Sequence, residues 1–268
     1  MHSKESYNYG NLNTNNELMA KKKQRLDLRL KELGLAPTRS KAQAMVMAGL
    51  IAVNDKPVTK AGHLVREDDK IIVKGRQCPY VSRGGLKLEA ALKHFSIDVS
   101  SKVCIDVGAS TGGFTHCLLQ KGAKLVYAID VGYGQLDWSL RNREDVINLE
   151  KTNIRHVKRE LFDPLPEFAT VDVSFISLKV VIPALLDVMV KENFEIVALI
   201  KPQFEAGPQR VGKGGIVRSS KVRSEVIDDL TSFFSKDLCL DVNGVIDSPI
   251  KGAKGNQEYL VYLSKNKG

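Results

Sequence analysis

The chain has 268 residues, 43% of them hydrophobic, and a formal charge of +9. That length permits one large domain or two unequal ones, and that apolar content supports a packed core. No apolar run approaches the ~20 residues needed to cross a bilayer, and no signal peptide is evident. Membrane-spanning and secreted classes are therefore set aside, and a cytoplasmic location is expected.

Cys78, Cys104, Cys117 and Cys239 show no close spacing. They read as buried thiols in a reducing compartment, with neither a disulfide nor a metal site. Residues 1–20 carry a net charge of −1, residues 21–93 hold 17 Lys/Arg against 7 Asp/Glu, and residues 94–268 hold 22 of each. A basic first third ahead of a neutral remainder implies a module that grips a polyanion.

Residues 1–22 are rich in Asn, Ser and Tyr and lack an apolar period, which predicts a disordered leader. Leu26, Leu28, Leu30 and Leu33 among charges predict a helix over 24–34, closed by Gly34. Pro37-Thr38-Arg39-Ser40 starts a second helix over 41–48, ended by Gly49. Short strands are expected at 50–53 and 70–73, with Asn54-Asp55-Lys56-Pro57 turning the chain. Residues 76–82 read as a linker. The glycine pair of Arg83-Gly84-Gly85 then breaks the chain before an amphipathic helix carrying Leu86, Leu88, Ala91, Leu92 and Phe95, with Lys87 beside its apolar face.

The run Val103-Cys104-Ile105-Asp106-Val107 suits one buried strand. A turn of small residues, Gly108 to Gly113, and a helix over 114–119 follow. Three motifs nearly fit that turn. A phosphate loop needs Lys where Phe114 stands. A dinucleotide fingerprint needs glycine where Ser110 stands. A nucleophile elbow on Ser110 needs an acid and then a His downstream, and no plausible pair follows.

What remains is a turn that receives a nucleoside without a pyrophosphate. Asp106-x-Gly108-x-Ser110-x-Gly112-Gly113-Phe114 resembles the first motif of S-adenosylmethionine-dependent methyltransferases. Asp130 ends the next strand, 125–130, and lies 22 residues after Gly108. There it is placed to accept hydrogen bonds from ribose hydroxyls.

Further strands are predicted at 145–149, 171–177, 195–202, 238–247 and 258–264. Helices are expected at 178–191, crossed by Pro183, and at 220–234. The glycine-rich stretch 203–219, with Arg210, Lys213 and Arg218, reads as a mobile loop near the site entrance. Seven strands alternating with helices make a doubly wound α/β sheet.

Two resemblances cover most of the chain. Arg25-Leu26-Asp27, Arg39-Ser40-Lys41-Ala42, Gly49-Leu50-Ile51-Ala52-Val53-Asn54 and Asp68-Asp69-Lys70-Ile71 resemble the S4 RNA-binding domain. That resemblance implies Arg25, Arg39 and Lys41 as RNA contacts, and Arg83 is added to them. Lys87, Asp172, Lys201 and Glu258, in that order, resemble the catalytic set of FtsJ-like ribose 2′-O-methyltransferases. With Val81-Ser82-Arg83-Gly84-Gly85, Asp172-Val173-Ser174-Phe175-Ile176-Ser177 and Lys201-Pro202-Gln203-Phe204-Glu205, the arrangement resembles the TlyA/hemolysin A family from about Lys23 onward. The stretch Arg76-Gln77-Cys78-Pro79 departs from that family's aromatic-containing linker.

The resemblance implies a small α+β S4-type domain over 23–75 and a linker over 76–82. A Rossmann-like methyltransferase domain of seven strands would follow over 83–268. It implies S-adenosylmethionine as cofactor and cytidine 2′-hydroxyls of ribosomal RNA, within ribosomal subunits, as substrate. Chemically, a ribose hydroxyl needs a base near neutral pH, and an exposed lysine is almost fully protonated there. Burial and a second lysine disfavour the charged form. Lys201 is therefore expected as base and Lys87 as its cationic neighbour, with Asp172 orienting Lys201 and Glu258 holding Lys87. Two rivals stand beside this: a membrane-active protein, as the name hemolysin suggests, and a ribosome-assembly factor with an inactive transferase domain. Oligomeric state is not legible.

Overall fold

The structure is a computed structural model and describes residues 23–73 and 78–266. The expected leader and residues 76–77 of the expected linker lie outside the described residues. The chain divides into two compact units, 1–77 and 78–268.

The first unit contains β1 (Gln24–Arg25), α1 (Leu26–Glu32), α2 (Arg39–Met47), β2 (Ile51–Val53), β3 (Lys56–Val58), β4 (Leu64–Val65) and β5 (Ile71–Val73). Thr38 caps α2 by accepting the Lys41 N–H at 3.1 Å, which satisfies one donor of the first turn. Strands β3, β2 and β5 form an antiparallel sheet, and β1 pairs with β4. Leu26, Leu30, Ala42, Val46 and Ile51 close the core. The strands β1, β3 and β4 escape the sequence pattern because two or three residues carry no readable period.

The second unit runs α3 (Gly84–His94), β6 (Val103–Val107), α4 (Gly113–Gln120), β7 (Leu125–Ile129), α5 (Trp138–Arg141), β8 (Val146–Leu149), β9 (Phe168–Val171), α6 (Leu178–Val188), β10 (Phe194–Ile200), α7 (Pro202–Glu205), α8 (Ser220–Lys236), β11 (Asp241–Asp247) and β12 (Tyr259–Lys265). Seven strands form one sheet in the order β11-β12-β10-β9-β6-β7-β8. The five strands from β10 to β8 are parallel, and β12 and β11 close the edge antiparallel. Val103, Ile105 and Val107 pack with α6 and α8. Cys104 packs with Leu88 of α3 and Cys117 of α4 on the opposite face. Both faces are thus covered, as a parallel sheet requires.

Two expectations are corrected. The strand expected at 171–177 lies at 168–171, where every residue is buried. Residues 172–177 are irregular and lead from the sheet to α6. Asp172 and Ser174 line a cavity whereas Ser177 caps α6 and donates to Glu205, so the alternation of polar and apolar residues there is coincidental. The cysteines are all free, but Cys239 is exposed and Cys78 only half-buried.

Residues 78–82 pack into the second unit. Tyr80 is buried, and the Val81 N–H donates to His116 Nδ1 at 3.1 Å. A Cβ on Gly85 would lie 2.3 Å from Tyr80 Cγ, so only glycine lets the tyrosine ring close on α3. The stretch 203–219 carries α7, a 3₁₀ turn at 208–210 and a bridge between Gly212 and Ile216. Among the described residues, no helix is long and apolar enough to cross a membrane.

The sheet is braced at its centre by Asp106, which has no exposed surface. Its carboxylate accepts the Thr115 N–H at 2.9 Å, the Thr115 hydroxyl at 2.6 Å and the Thr170 hydroxyl at 2.9 Å. Burial pushes its carboxyl up to about 6, opposed by those hydrogen bonds. The folded chain therefore holds this proton over a range where the unfolded chain has released it. Its contribution to stability is present below about pH 4 and is lost as pH rises through about 6. Asp106→Asn should remove that leg, flattening the pH 4–6 dependence of urea-unfolding free energy by roughly 1–3 kcal/mol.

Candidate active site

Strands β6 and β9 are neighbours, but the chain proceeds from β6 toward one edge of the sheet, through β7 and β8, and from β9 toward the other, to β10. A crevice opens at the carboxyl ends of strands where the order reverses in this way. Gly108 follows β6 and Asp172 follows β9, side by side. Gly108 has φ +85°, and a Cβ there would lie 2.4 Å from the Asp172 carbonyl oxygen. Both the backbone angle and the close approach require glycine.

Two cavities, of about 530 and 600 Å³, share Gly108, Ser110 and Asp172 as walls. Each falls within the roughly 300–1,000 Å³ typical of small-molecule sites. The first reaches Arg83, Lys87, Gly113, Phe114, Lys251 and Lys254. The second reaches Asp130, Val131, Gln135, Asn153, Arg155 and Phe175.

Asp130 follows β7, and its carboxylate orders the turn around it. It accepts the Ser110 N–H at 2.8 Å and the Gly132 N–H at 2.7 Å, one on each oxygen. Each oxygen keeps a further lone pair for a ligand hydroxyl. Ser110 is held at φ +48° by this contact. Gly112, at φ +89°, is required because a Cβ would lie 2.4 Å from Leu140 Cδ1. A Cβ on Gly113 would lie 2.3 Å from Ser82 Oγ. Asp106 lines neither cavity. Its carboxylate is sealed behind the turn and joins α4 to β9, so it has no surface to offer a cofactor.

Lys87, Asp172, Lys201 and Glu258 form two ion pairs. Lys87 Nζ, in the first turn of α3, donates to Glu258 Oε2 at 2.6 Å, with side chains 12% and 3% exposed. Lys201 Nζ lies 2.6 Å from Asp172 Oδ1, with side chains 11% and 24% exposed. Lys201 also donates to Ser174 Oγ at 3.0 Å. Lys201 closes β10, and Pro202 starts α7 directly after it. Proline at a first helical position fixes the backbone there and leaves the lysine at the sheet edge. Lys87 and Asp172 form cavity walls, whereas Lys201 stands behind Asp172.

Glu205 secures the loop in front. It accepts the Leu178 N–H at 2.9 Å and the Ser177 hydroxyl at 2.5 Å, and burial raises its pKa. Phe175, missed by sequence reasoning, is 89% exposed at φ +65°. Its ring leans on Phe204 at a centroid distance of 4.8 Å. An exposed aromatic face held beside the crevice has the geometry to stack on a flat ring.

In the first unit, Arg25 and Arg39 converge on Asp27, which is fully buried. Arg25 Nε and Nη2 donate to its two oxygens at 3.0 and 2.9 Å. Arg39 Nε and Gln43 Nε2 donate at 3.1 and 2.8 Å. These donors, led by Arg25, hold the Asp27 carboxyl well below the usual carboxylate range. Both guanidinium groups remain about half exposed, so their free N–H groups face solvent in fixed directions. Lys41 is exposed on the first turn of α2. Arg83, grouped with these three as an RNA contact but expected at the start of the 83–268 domain, lies in the second unit at the first cavity.

Residues 80–265 match the FtsJ-like methyltransferase family, and residues 24–71 match the S4 domain. A Bacillus subtilis protein, YqxC, is 49% identical over 248 residues, covering 91% of this chain and 87% of that one. The 16S/23S rRNA (cytidine-2′-O)-methyltransferase TlyA of Mycobacterium tuberculosis is 40% identical over 240 residues, 89% of each chain. A solved structure from Streptococcus thermophilus, which bears a hemolysin name, is 44% identical. It covers 93% of this chain and 90% of that one, with a TM-score of 0.72.

Gly252 tests how the Lys87–Glu258 pair is held. A Cβ there would lie 1.8 Å from Glu258 Oε1, so Gly252→Ala should push the carboxylate off Lys87. The cost is about 2–4 kcal/mol, because a nearly buried lysine loses its counter-charge. Gly255→Ala, in open space at φ +87°, should cost only about 1–2 kcal/mol of backbone strain. Thermal unfolding of the two variants measures the difference.

Proposed function

The chain belongs to the FtsJ-like methyltransferase family and carries an S4 domain ahead of that unit, and on that premise we propose that it methylates ribosomal RNA from S-adenosylmethionine. The acceptor is a ribose 2′-hydroxyl, on cytidine, in RNA presented within ribosomal subunits. The observation that carries this reading is the pairing of two lysines with two carboxylates around one crevice. Relatives of known name point the same way: TlyA is a cytidine-2′-O-methyltransferase of 16S and 23S rRNA.

The crevice fits the cofactor. Gly108 removes the side chain that would fill it, Asp130 offers free lone pairs at a strand end, and Val131 and Ile154 line the same cavity with apolar surface. When bound there, S-adenosylmethionine supplies an electrophilic methyl carbon on a sulfonium. Asp130 would hold the ribose hydroxyls, and Gly108, Ser110, Gly112, Gly113 and Phe114 would shape the turn beneath.

Lys201 Nζ, as the neutral amine, accepts the proton of the 2′-hydroxyl while the oxygen forms its new bond to carbon. The Asp172 carboxylate points that amine and neutralises the ammonium it becomes. Lys87, fixed by Glu258, places a permanent positive charge at the cavity wall, where it steadies the developing alkoxide. Phe175 stacks the acceptor base. The S4 unit holds the RNA through Arg25, Arg39 and Lys41, ahead of the catalytic unit, 78–268.

Lys201→Ala should lower methyl transfer to ribosomal RNA by at least about 10²–10⁴-fold, the usual share of a general base. Cofactor affinity, read by calorimetry with S-adenosylhomocysteine, should change less than about threefold, because Lys201 stands behind Asp172. Full transfer in that variant contradicts the assignment. In parallel, replacing Arg25, Arg39 and Lys41 together by Ala should weaken binding to ribosomal subunits and flatten its salt dependence. Unchanged binding removes the S4 unit from RNA capture.

A further inference from the structure

We propose that Lys251 and Lys254 form a phosphate-binding lip over the first cavity that holds the RNA phosphodiester on the 3′ side of the acceptor ribose. This rests on the ribose-methyltransferase reading above and names the group that seats the substrate backbone. Neither lysine belongs to the four-residue catalytic set.

The lip is a built turn. Residues 248–258 connect β11 to β12 and end on Glu258, the partner of Lys87. The Ser248 N–H donates to the Glu258 carbonyl at 2.9 Å, the Gly252 N–H to the Asn256 carbonyl at 2.9 Å, and the Gly255 N–H to the Gly252 carbonyl at 3.1 Å. Buried Asn256 ties the turn to the 206–219 loop: it accepts the Val217 N–H at 3.1 Å and donates to the Gly215 carbonyl at 2.8 Å. Gly252 packs directly under the Glu258 carboxylate. The same turn therefore sets both a catalytic carboxylate and the two lysines.

Local backbone preference does not explain lysine at 254. Lys254 has φ +58° and ψ +14°, a left-handed conformation that glycine or asparagine adopts at lower cost. A strained residue at a cavity edge points to a role for its side chain.

Charge gives that role. The carboxylates of Asp172 and Glu258 are each bound to a lysine, Lys201 and Lys87. Arg83, Lys251 and Lys254, all exposed, also line the cavity, and no ion pair involves them among the described residues. The mouth of the cavity therefore carries three cations beyond the two internally neutralised pairs. Such a concave cationic surface attracts an anion. RNA brings one by necessity: the 2′-oxygen is joined through C2′, C3′ and O3′ to a phosphorus. Any pose that brings the hydroxyl to the cavity beside Asp172 brings a phosphodiester with it, and Lys251 and Lys254 line that same cavity. Lysine serves such a group as a point charge.

The test uses the full chain with Lys251→Gln and Lys254→Gln combined, beside Lys251→Arg and Lys254→Arg combined. Melting temperature checks the fold of each. Unmodified ribosomal subunits are the RNA probe, and S-adenosylhomocysteine is the cofactor probe. For the glutamine pair, KM for RNA should rise about tenfold at 0.15 M salt. The slope of log affinity against log salt should become shallower by about 0.7, from one single-strand phosphate contact. kcat should change less than about threefold, cofactor affinity should hold, and the arginine pair should restore KM.

Unchanged KM and slope overturn the lip. So does a loss confined to cofactor affinity, which would mean that these cations hold the cofactor's carboxylate. A wild-type chain that binds S-adenosylhomocysteine but methylates no ribosomal RNA overturns the parent reading and the lip with it. An active wild type with an unaffected glutamine pair overturns the lip alone.

Discussion

Asp106 has no exposed surface, and every oxygen lone pair it spends goes to a threonine: two bonds to Thr115 on α4 and one to Thr170 on β9. Those three bonds join the first strand of the sheet, the helix after it and the strand on the far side of the order reversal. The crevice lies directly above. Gly108 leaves β6 two residues after Asp106, and Asp172 leaves β9 two residues after Thr170. Their spacing, down to the 2.4 Å that a Cβ at 108 would leave, follows from the strand register that the brace holds. A carboxylate with no exposed surface is a costly choice for a sheet interior, because burial disfavours its charged form. Here its cost is offset because three donors satisfy it and because it fixes where both walls of the crevice emerge.

Carboxylates elsewhere in the chain follow a second pattern, in which they aim cations. Asp27 aims Arg25 and Arg39, Glu258 aims Lys87, and Asp172 aims Lys201. The consequences differ with exposure. The arginines keep about half of their surface in water, so Asp27 adds direction more than stability. The two lysines are nearly enclosed, so their pairs are expensive to break and keep both nitrogens fixed beside the crevice, with the permanent charge on Lys87. Positioned charge, with no rearrangement needed when substrate arrives, is an effective way to stabilise a transition state.

Much of this was legible in the sequence, and the limits have physical causes. The glycine turn, the acid at the end of the next strand and the strand–helix alternation were readable, because backbone reach and burial on both faces leave strong marks at 103–130. The order Lys87, Asp172, Lys201, Glu258 was readable through resemblance. The strand before Asp172 was placed three residues late, because Asp172 to Ser177 alternates like a strand while Phe168 to Val171 is too short to show a period. That slip concealed Phe175, whose exposure belongs to a loop. Asp106 looked like a ligand because it sits in the glycine motif; which way a strand residue points depends on the helix packed over it, and Thr115 claims it. Lys251 and Lys254 were invisible, because the 248–258 turn meets the cavity only once β12 inserts antiparallel beside β10.

The most direct measurement maps 2′-O-methylated riboses across ribosomal RNA from unmodified subunits incubated with S-adenosylmethionine, with and without the purified chain. The account predicts at least one cytidine that gains a 2′-O-methyl group only in the presence of the chain. Methylation of a base instead of a ribose, or no new methyl group in RNA from either subunit, would contradict it.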